Sequence, residues 1–154
     1  MSLRRAIRDD LPRIAEIRHA VRENRLSRPD AIAEDEVLWF LDNPGIWVWD
    51  EDGRVLGFSA GDTRDGWIWA LFIDPEQEGR GIGRALFAKA CQVVRTAGHT
   101  HLRLRTSPGT RAARFYEAQG WRVTGTLPGG EVQFEFVAPR SARAITGALR
   151  SSAC

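Results

Sequence analysis

Apolar positions along the chain recur with two different periods, and the switches between them mark its elements. Leu3 to Arg8 reads as a short strand, after which Asp9, Asp10, Leu11 and Pro12 make a helix start, with a capping aspartate and a proline in the first turn. Leu11, Ile14, Ile17 and Val21 continue at helical spacing. Beyond the polar stretch from Arg25 to Asp30, Val37, Leu38, Phe40 and Leu41 form a second helical pattern, which Asn43, Pro44 and Gly45 stop. Three runs rich in β-formers follow, Ile46–Trp49, Val55–Ala60 and Trp67–Ile73. Glu51-Asp52-Gly53 and Asp62–Gly66 link them as hairpins do, which predicts an antiparallel meander. From Gly81 to Ala97, Ile82, Ala85, Leu86, Ala90, Val93, Val94 and Ala97 share one face of a long helix closed by Gly98. His101 to Thr106 alternates leucines with arginines and is expected to run parallel to the strand before the helix. A shorter helix over Thr110–Gln119, ended by Gly120, and two strands, Trp121–Thr126 and Glu131–Val137, complete the order βααβββαβαββ. This is an α/β pattern with a mixed central sheet.

Composition narrows the partners. A chain of 154 residues fits one domain, expected over residues 1–137, with 138–154 as a C-terminal tail. With 43% hydrophobic residues it can bury a core, and a net charge of +2 gives no case for a nucleic-acid or membrane-surface partner. Lys89 is the one lysine, so the remaining 21 basic residues are arginines; their forks suit phosphates and carboxylates, but a GC-rich genome is the favoured explanation of the bias. Cys91 and Cys154 show no metal-ligand spacing, and reduced thiols in a cytoplasmic protein are the simplest reading. No secretory signal and no run of about 18 apolar residues is evident.

The segment with the most chemical content runs from Leu71-Phe72-Ile73-Asp74-Pro75 through Glu78-Gly79-Arg80-Gly81-Ile82-Gly83-Arg84 into the long helix. Alternate glycines let a backbone approach a ligand closely, and a helix N-terminus presents unpaired N–H groups at the positive end of a dipole. Together they suit a phosphate. A dinucleotide fingerprint would need a glycine at Arg84 or Leu86, and a P-loop would need Gly-Lys, whereas Lys89 follows Ala88.

This segment resembles the Arg/Gln-x-x-Gly-x-Gly/Ala signature of the GNAT superfamily of acyl-CoA-dependent N-acyltransferases, with Glu78 departing at its first position. Gly109 to Trp121 is similar to the family's second segment, Asn-x-x-Ala-x-x-Phe/Leu-Tyr-x-x-x-Gly-Phe, with Gly109 in place of asparagine and Tyr116 retained. The resemblance extends from about Leu3 to Val137 and matches the element order.

What the resemblance implies is a GNAT fold and an enzyme that moves an acetyl group from acetyl-CoA to a primary amine in a ternary complex, with no metal. Leu71, Phe72 and Ile73 would pair with the pantetheine arm, the Leu71 N–H facing the thioester carbonyl. The amides of Gly79, Arg80, Gly81, Ile82, Gly83 and Arg84 would hold the pyrophosphate. Thr110 would supply the polar contact that Gly109 lacks, and Tyr116 would protonate the departing thiolate. Dimers are common in this family.

The base has no single candidate. Where some members carry a strand carboxylate this chain has Trp67, and Asp65, two residues away in a turn, is set aside, which leaves Glu34, Asp35, Glu36, Glu23 or a water chain, the last being preferred. A non-catalytic acyl-CoA-binding module on the same fold is the competing reading, supported by Glu78, Gly109 and Trp67. Trp39, Trp47, Trp49, Trp67 and Trp69 could wall an acceptor cleft or simply pack the core, and the core is favoured. Arg103, Arg105 and His101 share one strand face, which could meet an acidic substrate or the CoA 3′-phosphate, but a solvated strand face is the favoured reading.

Overall fold

The computed structural model describes residues 2–23 and 34–137. Seven strands form one sheet in the order β1-β2-β3-β4-β5-β7-β6. β2 (Trp47–Glu51), β3 (Arg54–Asp62) and β4 (Trp67–Ile73) form the antiparallel meander that the hairpin spacing predicts, and β1 (Ser2–Arg5) adds antiparallel to β2. β5 (His101–Thr106) joins β4 in parallel, and β7 (Val132–Val137) and β6 (Arg122–Thr126) continue antiparallel. Four helices belong to the described residues: α1 (Leu11–Glu23), α2 (Glu34–Asp42), α3 (Ile82–Thr96) and α4 (Arg111–Ala118).

The periodicities sort into two layers around the sheet. Ile14 and Ile17 of α1 and Val37, Phe40 and Leu41 of α2 cover one face, against Val48, Phe58 and Ala60. On the other face, Phe87, Ala90 and Val94 of α3 and Ala113 and Tyr116 of α4 pack on Ile68, Leu102, Leu104 and Phe134. α3 lies close to β3 because the strand presents Gly57, Ser59 and Gly61 to it. A Cβ at Gly61 would stand 2.5 Å from Val94 Cγ2 and 2.9 Å from the Ala90 carbonyl oxygen. The Ser59 hydroxyl uses the proximity to donate to the Leu86 carbonyl at 2.8 Å.

The entries to α1 and α3 differ in form from the sequence expectation. The first strand ends at Arg5, and a 3-10 turn over Arg8–Asp10 precedes α1. Asp10 is turned back, accepting from the Ile7 N–H at 2.8 Å and from the Arg4 guanidinium, so it ties β1 to the turn. A second 3-10 turn, Pro75–Gln77, follows β4 and has no counterpart in the expected order. The expected tail, 138–154, lies outside the described residues. Of the two cysteines, Cys91 is buried in the core and Cys154 lies outside the described residues.

The tryptophan wall does not form as a unit. Trp47 and Trp49 pack with Leu56, Ile82 and Leu86 on the α3 side, whereas Trp69 stacks on Phe40 at 4.0 Å on the opposite face. Trp39 is exposed beneath the Arg64 guanidinium, 4.1 Å away. Packing, the favoured reading, accounts for Trp47, Trp49 and Trp69.

Candidate active site

The sheet opens at its centre. β4 pairs with β3 along its length, but its only register partner on β5 is Trp67 with Arg103. A register shift between Ala60 and Gly61 of β3, opposite Trp69, marks a β-bulge, and bulges bend and twist the strand that holds them. Beyond it β4 and β5 diverge, leaving one side of Leu71–Ile73 unpaired.

Antiparallel pairing says which backbone groups face that opening. Opposed residues alternate between exchanging both hydrogen bonds and turning their polar groups outward. The Asp74 N–H donates to the Leu56 carbonyl at 2.9 Å, so in the same register Phe58/Phe72 and Ala60/Ala70 are bonded pairs. Leu71, opposite Ser59, and Ile73, opposite Gly57, are then the outward pairs, with their N–H and C=O groups aimed into the opening. Phe72 is not equivalent to its neighbours: its backbone is committed to β3, and it contributes a side chain only.

Next to this edge the chain makes the 3-10 turn and enters α3 through Gly79 and Gly81, both at φ +84°. Gly81 caps the helix in the left-handed region, where a side chain would be strained even in open space. The first intrahelical bond runs from the Ala85 N–H to the Gly81 carbonyl at 3.2 Å, so the N–H groups of Ile82, Gly83 and Arg84 have no acceptor within the helix. Gly83 borders the opening, and a Cβ there would touch Ile73 at 3.6 Å, an ordinary contact.

Side chains brace this turn from two directions. Arg13 of α1 donates to the Asp74 carboxylate at 2.7 Å and to the Val55 carbonyl at 2.8 Å. Asp74 in turn caps the 3-10 turn by accepting from the Glu76 N–H at 3.0 Å. Burial pushes the Asp74 carboxyl up, but the Glu76 N–H and the Arg13 guanidinium outweigh it and hold its pKa below the ordinary value. From the other side, Arg80 reaches both Glu51 carboxylate oxygens at 2.9 Å and Gln77 at 2.6 Å.

α4 closes the opening. Arg111, Ala112, Phe115 and Tyr116 line a cleft of about 450 Å³ together with Leu71, Phe72, Ile73, Gly79, Gly81, Gly83 and Arg84, and Val21 reaches it from α1. Tyr116 is 6% exposed among Phe87, Phe115, Trp121 and Phe134. Arg84 and Arg111 are exposed beside the glycines, and Arg111 stands 3.8 Å from Glu78. The cleft thus has an apolar throat with outward backbone groups and a mouth that combines bare amides with two guanidinium groups. That arrangement has the shape and polarity to suit an extended amide-bearing chain ending in phosphates.

At three expected binding residues the side chain is committed within the protein, which leaves the expected amides of Arg80 and Ile82 as what those two residues can offer. The Ile82 side chain is 2% exposed and packed on Leu56 and Leu86, which leaves only its amide for a ligand. The Arg80 guanidinium is engaged with Glu51 and Gln77. Thr110 is the N-cap of α4: its hydroxyl accepts from the Ala113 N–H at 3.1 Å and donates to the Ser107 carbonyl at 3.0 Å, as an N-cap threonine does. Among the described residues, Glu78 is the one carboxylate lining the cleft. Asp65, Asp35 and Glu36 are exposed away from it, Trp67 meets Arg103, and the side chains of Glu23 and Glu34 lie outside the described part of the structure. Arg111, Ala112 and Phe115 join the site without having been expected there. The signal for them is the spacing of Arg111, Ala112, Phe115 and Tyr116, which puts all four on one side of α4.

No group of three or more potential metal ligands occurs among the described residues, and no helix there is long and apolar enough to cross a membrane. Residues 6–121 match the acetyltransferase (GNAT) family. The peptidyl-lysine N-acetyltransferase YiaC of Escherichia coli K12 is 37% identical over 86 residues, which are 54% of this chain and 54% of that protein. The L-amino acid N-acyltransferase MnaT of the same organism is 29% identical over 143 residues, 83% of each chain. The chain spans about half the length of the curated relatives it matches first. Among solved structures, YncA of Salmonella typhimurium with its cofactor acetyl-CoA superposes with a TM-score of 0.72 at 18% identity, covering 92% of this chain and 95% of that one.

Proposed function

Because the chain belongs to the GNAT acetyltransferase family, we propose that it transfers an acetyl group from acetyl-CoA to a primary amine by direct attack in a ternary complex. The observation that carries this reading is the unpaired Leu71–Ile73 edge ending beside the bare amides of α3. The outward N–H and C=O groups of Leu71 and Ile73 pair with the amides of the pantetheine arm. The N–H groups of Ile82, Gly83 and Arg84 hold the pyrophosphate, helped by Arg84 and Arg111. In this reading the Leu71 N–H donates to the thioester carbonyl oxygen, where negative charge develops as the amine attacks.

The new N–C bond forms as the C–S bond breaks; the amine gives its proton to water, and Tyr116 gives its own to the thiolate. A phenol, with an ordinary pKa of about 10, is a weak acid toward a thiolate of about 8.5, so the transfer depends on position rather than on acidity. Buried Cys91 lies in the core between α3 and β5 and is absent from the cleft lining, which fits a route without a covalent intermediate.

The dearth of carboxylates among the described residues of the cleft favours one alternative, a non-catalytic acyl-CoA-binding module. Thiol release from acetyl-CoA over a panel of primary amines separates the two. Turnover with at least one amine supports the transferase; tight acetyl-CoA binding in calorimetry with no thiol released across the panel supports the module.

A further inference from the structure

β5 turns two sets of side chains to its two faces. Leu102, Leu104 and Thr106 are buried toward α3 and α4, so His101, Arg103 and Arg105 share the other face. Gln133 and Glu135 of β7, in register with Arg105 and Arg103, extend that face. The polar groups there are unequally satisfied. One Glu135 oxygen is bound by His101 and the other by Thr124 at 2.9 Å and Gln133 at 2.6 Å, and the His101 and Thr124 contacts hold its pKa below the usual range. Glu135 therefore leaves both arginines without a carboxylate. Arg103 has the ring of Trp67 at 5.8 Å, and Arg105 makes no ion pair or side-chain hydrogen bond among the described residues.

The register places this pair beside the reacting end of the cleft. Trp67 is opposite Arg103, so Arg105, about 7 Å further along its strand, is level with Trp69 and Ala70, just before the outward Leu71. The mouth with Arg84 and Arg111 is built from α3 and α4, on the other side of the sheet, and does not share this face. An anion here would accordingly belong to the acceptor rather than to the phosphates of CoA.

We propose that the acceptor amine carries a carboxylate, gripped by the unpaired guanidinium of Arg105 with Arg103 beside it on the open face of β5. An arginine fork matches the two oxygens of a carboxylate. Held there, an amino acid would have its amine on the Leu71 side. This rests on the acetyltransferase reading and adds the class of its substrate.

The test uses the intact protein with acetyl-CoA and two matched pairs, L-methionine and L-phenylalanine against their carboxamides. The acids should show kcat/KM at least about tenfold above the amides. Arg105→Gln should raise KM for the acids at least about tenfold and abolish the preference, with thermal stability held because the side chain is exposed. Equal use of acid and amide by the wild type, or an equal loss on both in the variant, would overturn the proposal. N-acetyl-L-methionine and its methyl ester, titrated onto the CoA complex, provide a second readout that needs no turnover. Binding of the acid alone, weakened by Arg105→Gln, supports the carboxylate grip even if thiol release fails and the transferase reading falls. Absence of any preference for the acid there overturns the grip itself.

Discussion

Gly81 and Gly83, two residues apart, should respond in opposite directions to the same substitution. Gly81 sits at φ +84° with nothing within 4 Å of an added Cβ, so Gly81→Ala adds strain without a clash. A left-handed alanine costs about 1–2 kcal/mol, which for a chain of this size lowers Tm by roughly 2–8 °C. Gly83 is an ordinary helical position at the second residue of α3, and its added methyl would meet Ile73 at 3.6 Å. Gly83→Ala should leave Tm unchanged or raise it, since alanine is favoured over glycine in helices by up to about 1 kcal/mol. The methyl, however, enters the space beside the bare amides. Losing one charge-assisted hydrogen bond there, about 1.5–3 kcal/mol, weakens acetyl-CoA by roughly 10- to 150-fold. Scanning fluorimetry gives the stabilities and calorimetry with acetyl-CoA gives the affinities. A folded Gly83→Ala protein that binds acetyl-CoA like the wild type would refute the assignment of the phosphates to the α3 N-terminus.

Tyr116→Phe should keep the aromatic cluster and Tm, leave the acetyl-CoA KM nearly unmoved and lower kcat at least about tenfold; an unchanged kcat would reduce Tyr116 to a packing residue. Gly61→Ala drives a methyl into Val94 and the Ala90 carbonyl, and overpacking of this kind costs about 1–3 kcal/mol in urea unfolding; a loss below about 0.5 kcal/mol would contradict the close α3–β3 contact. The Arg4 guanidinium, against the opposing effect of burial and with help from the Ile7 N–H, holds the Asp10 carboxyl below its ordinary pKa. Its contribution to stability is therefore present above the ordinary carboxylate range and is lost as pH falls through the depressed value. Asp10→Asn should flatten the acid limb of a stability-against-pH curve, and an unaltered limb would show that this ion pair does not set it.

The elements are legible because their apolar periods are regular: β4 and β5 have the expected ends, and α3 differs by one residue at each end. What periodicity does not convey is the divergence of β4 from β5. It arises from a bulge at Trp69, inside a run whose alternation looks unbroken. The same bulge puts Ile68 on the α3 side and both Trp69 and Ala70 on the α1–α2 side, which is why the tryptophans do not fall into one wall. Within the site, the glycines are legible from type and spacing, and Tyr116 from the resemblance of its segment to the family's. Thr110 is not, since a threonine at the start of a helix serves the helix first. Phe72 shows that three consecutive strand residues are not interchangeable when only alternate ones face outward.

The opening between β4 and β5 also bears on self-association. Unpaired strand edges recruit strands from other copies. At its outer limits the sheet blunts this hazard with short strands, β1 carrying Arg4 and Arg5 and β6 broken by a register shift. The inner edge at Leu71–Ile73 has neither device, yet it is pinched shut at Trp67–Arg103 and roofed by α4 and the first turn of α3. A foreign strand needs a straight, open-ended track, and here it would run into the pinch after a few residues. The slot admits a slender thread that stops at a fixed depth, so the feature that exposes bare backbone also keeps it from templating aggregation.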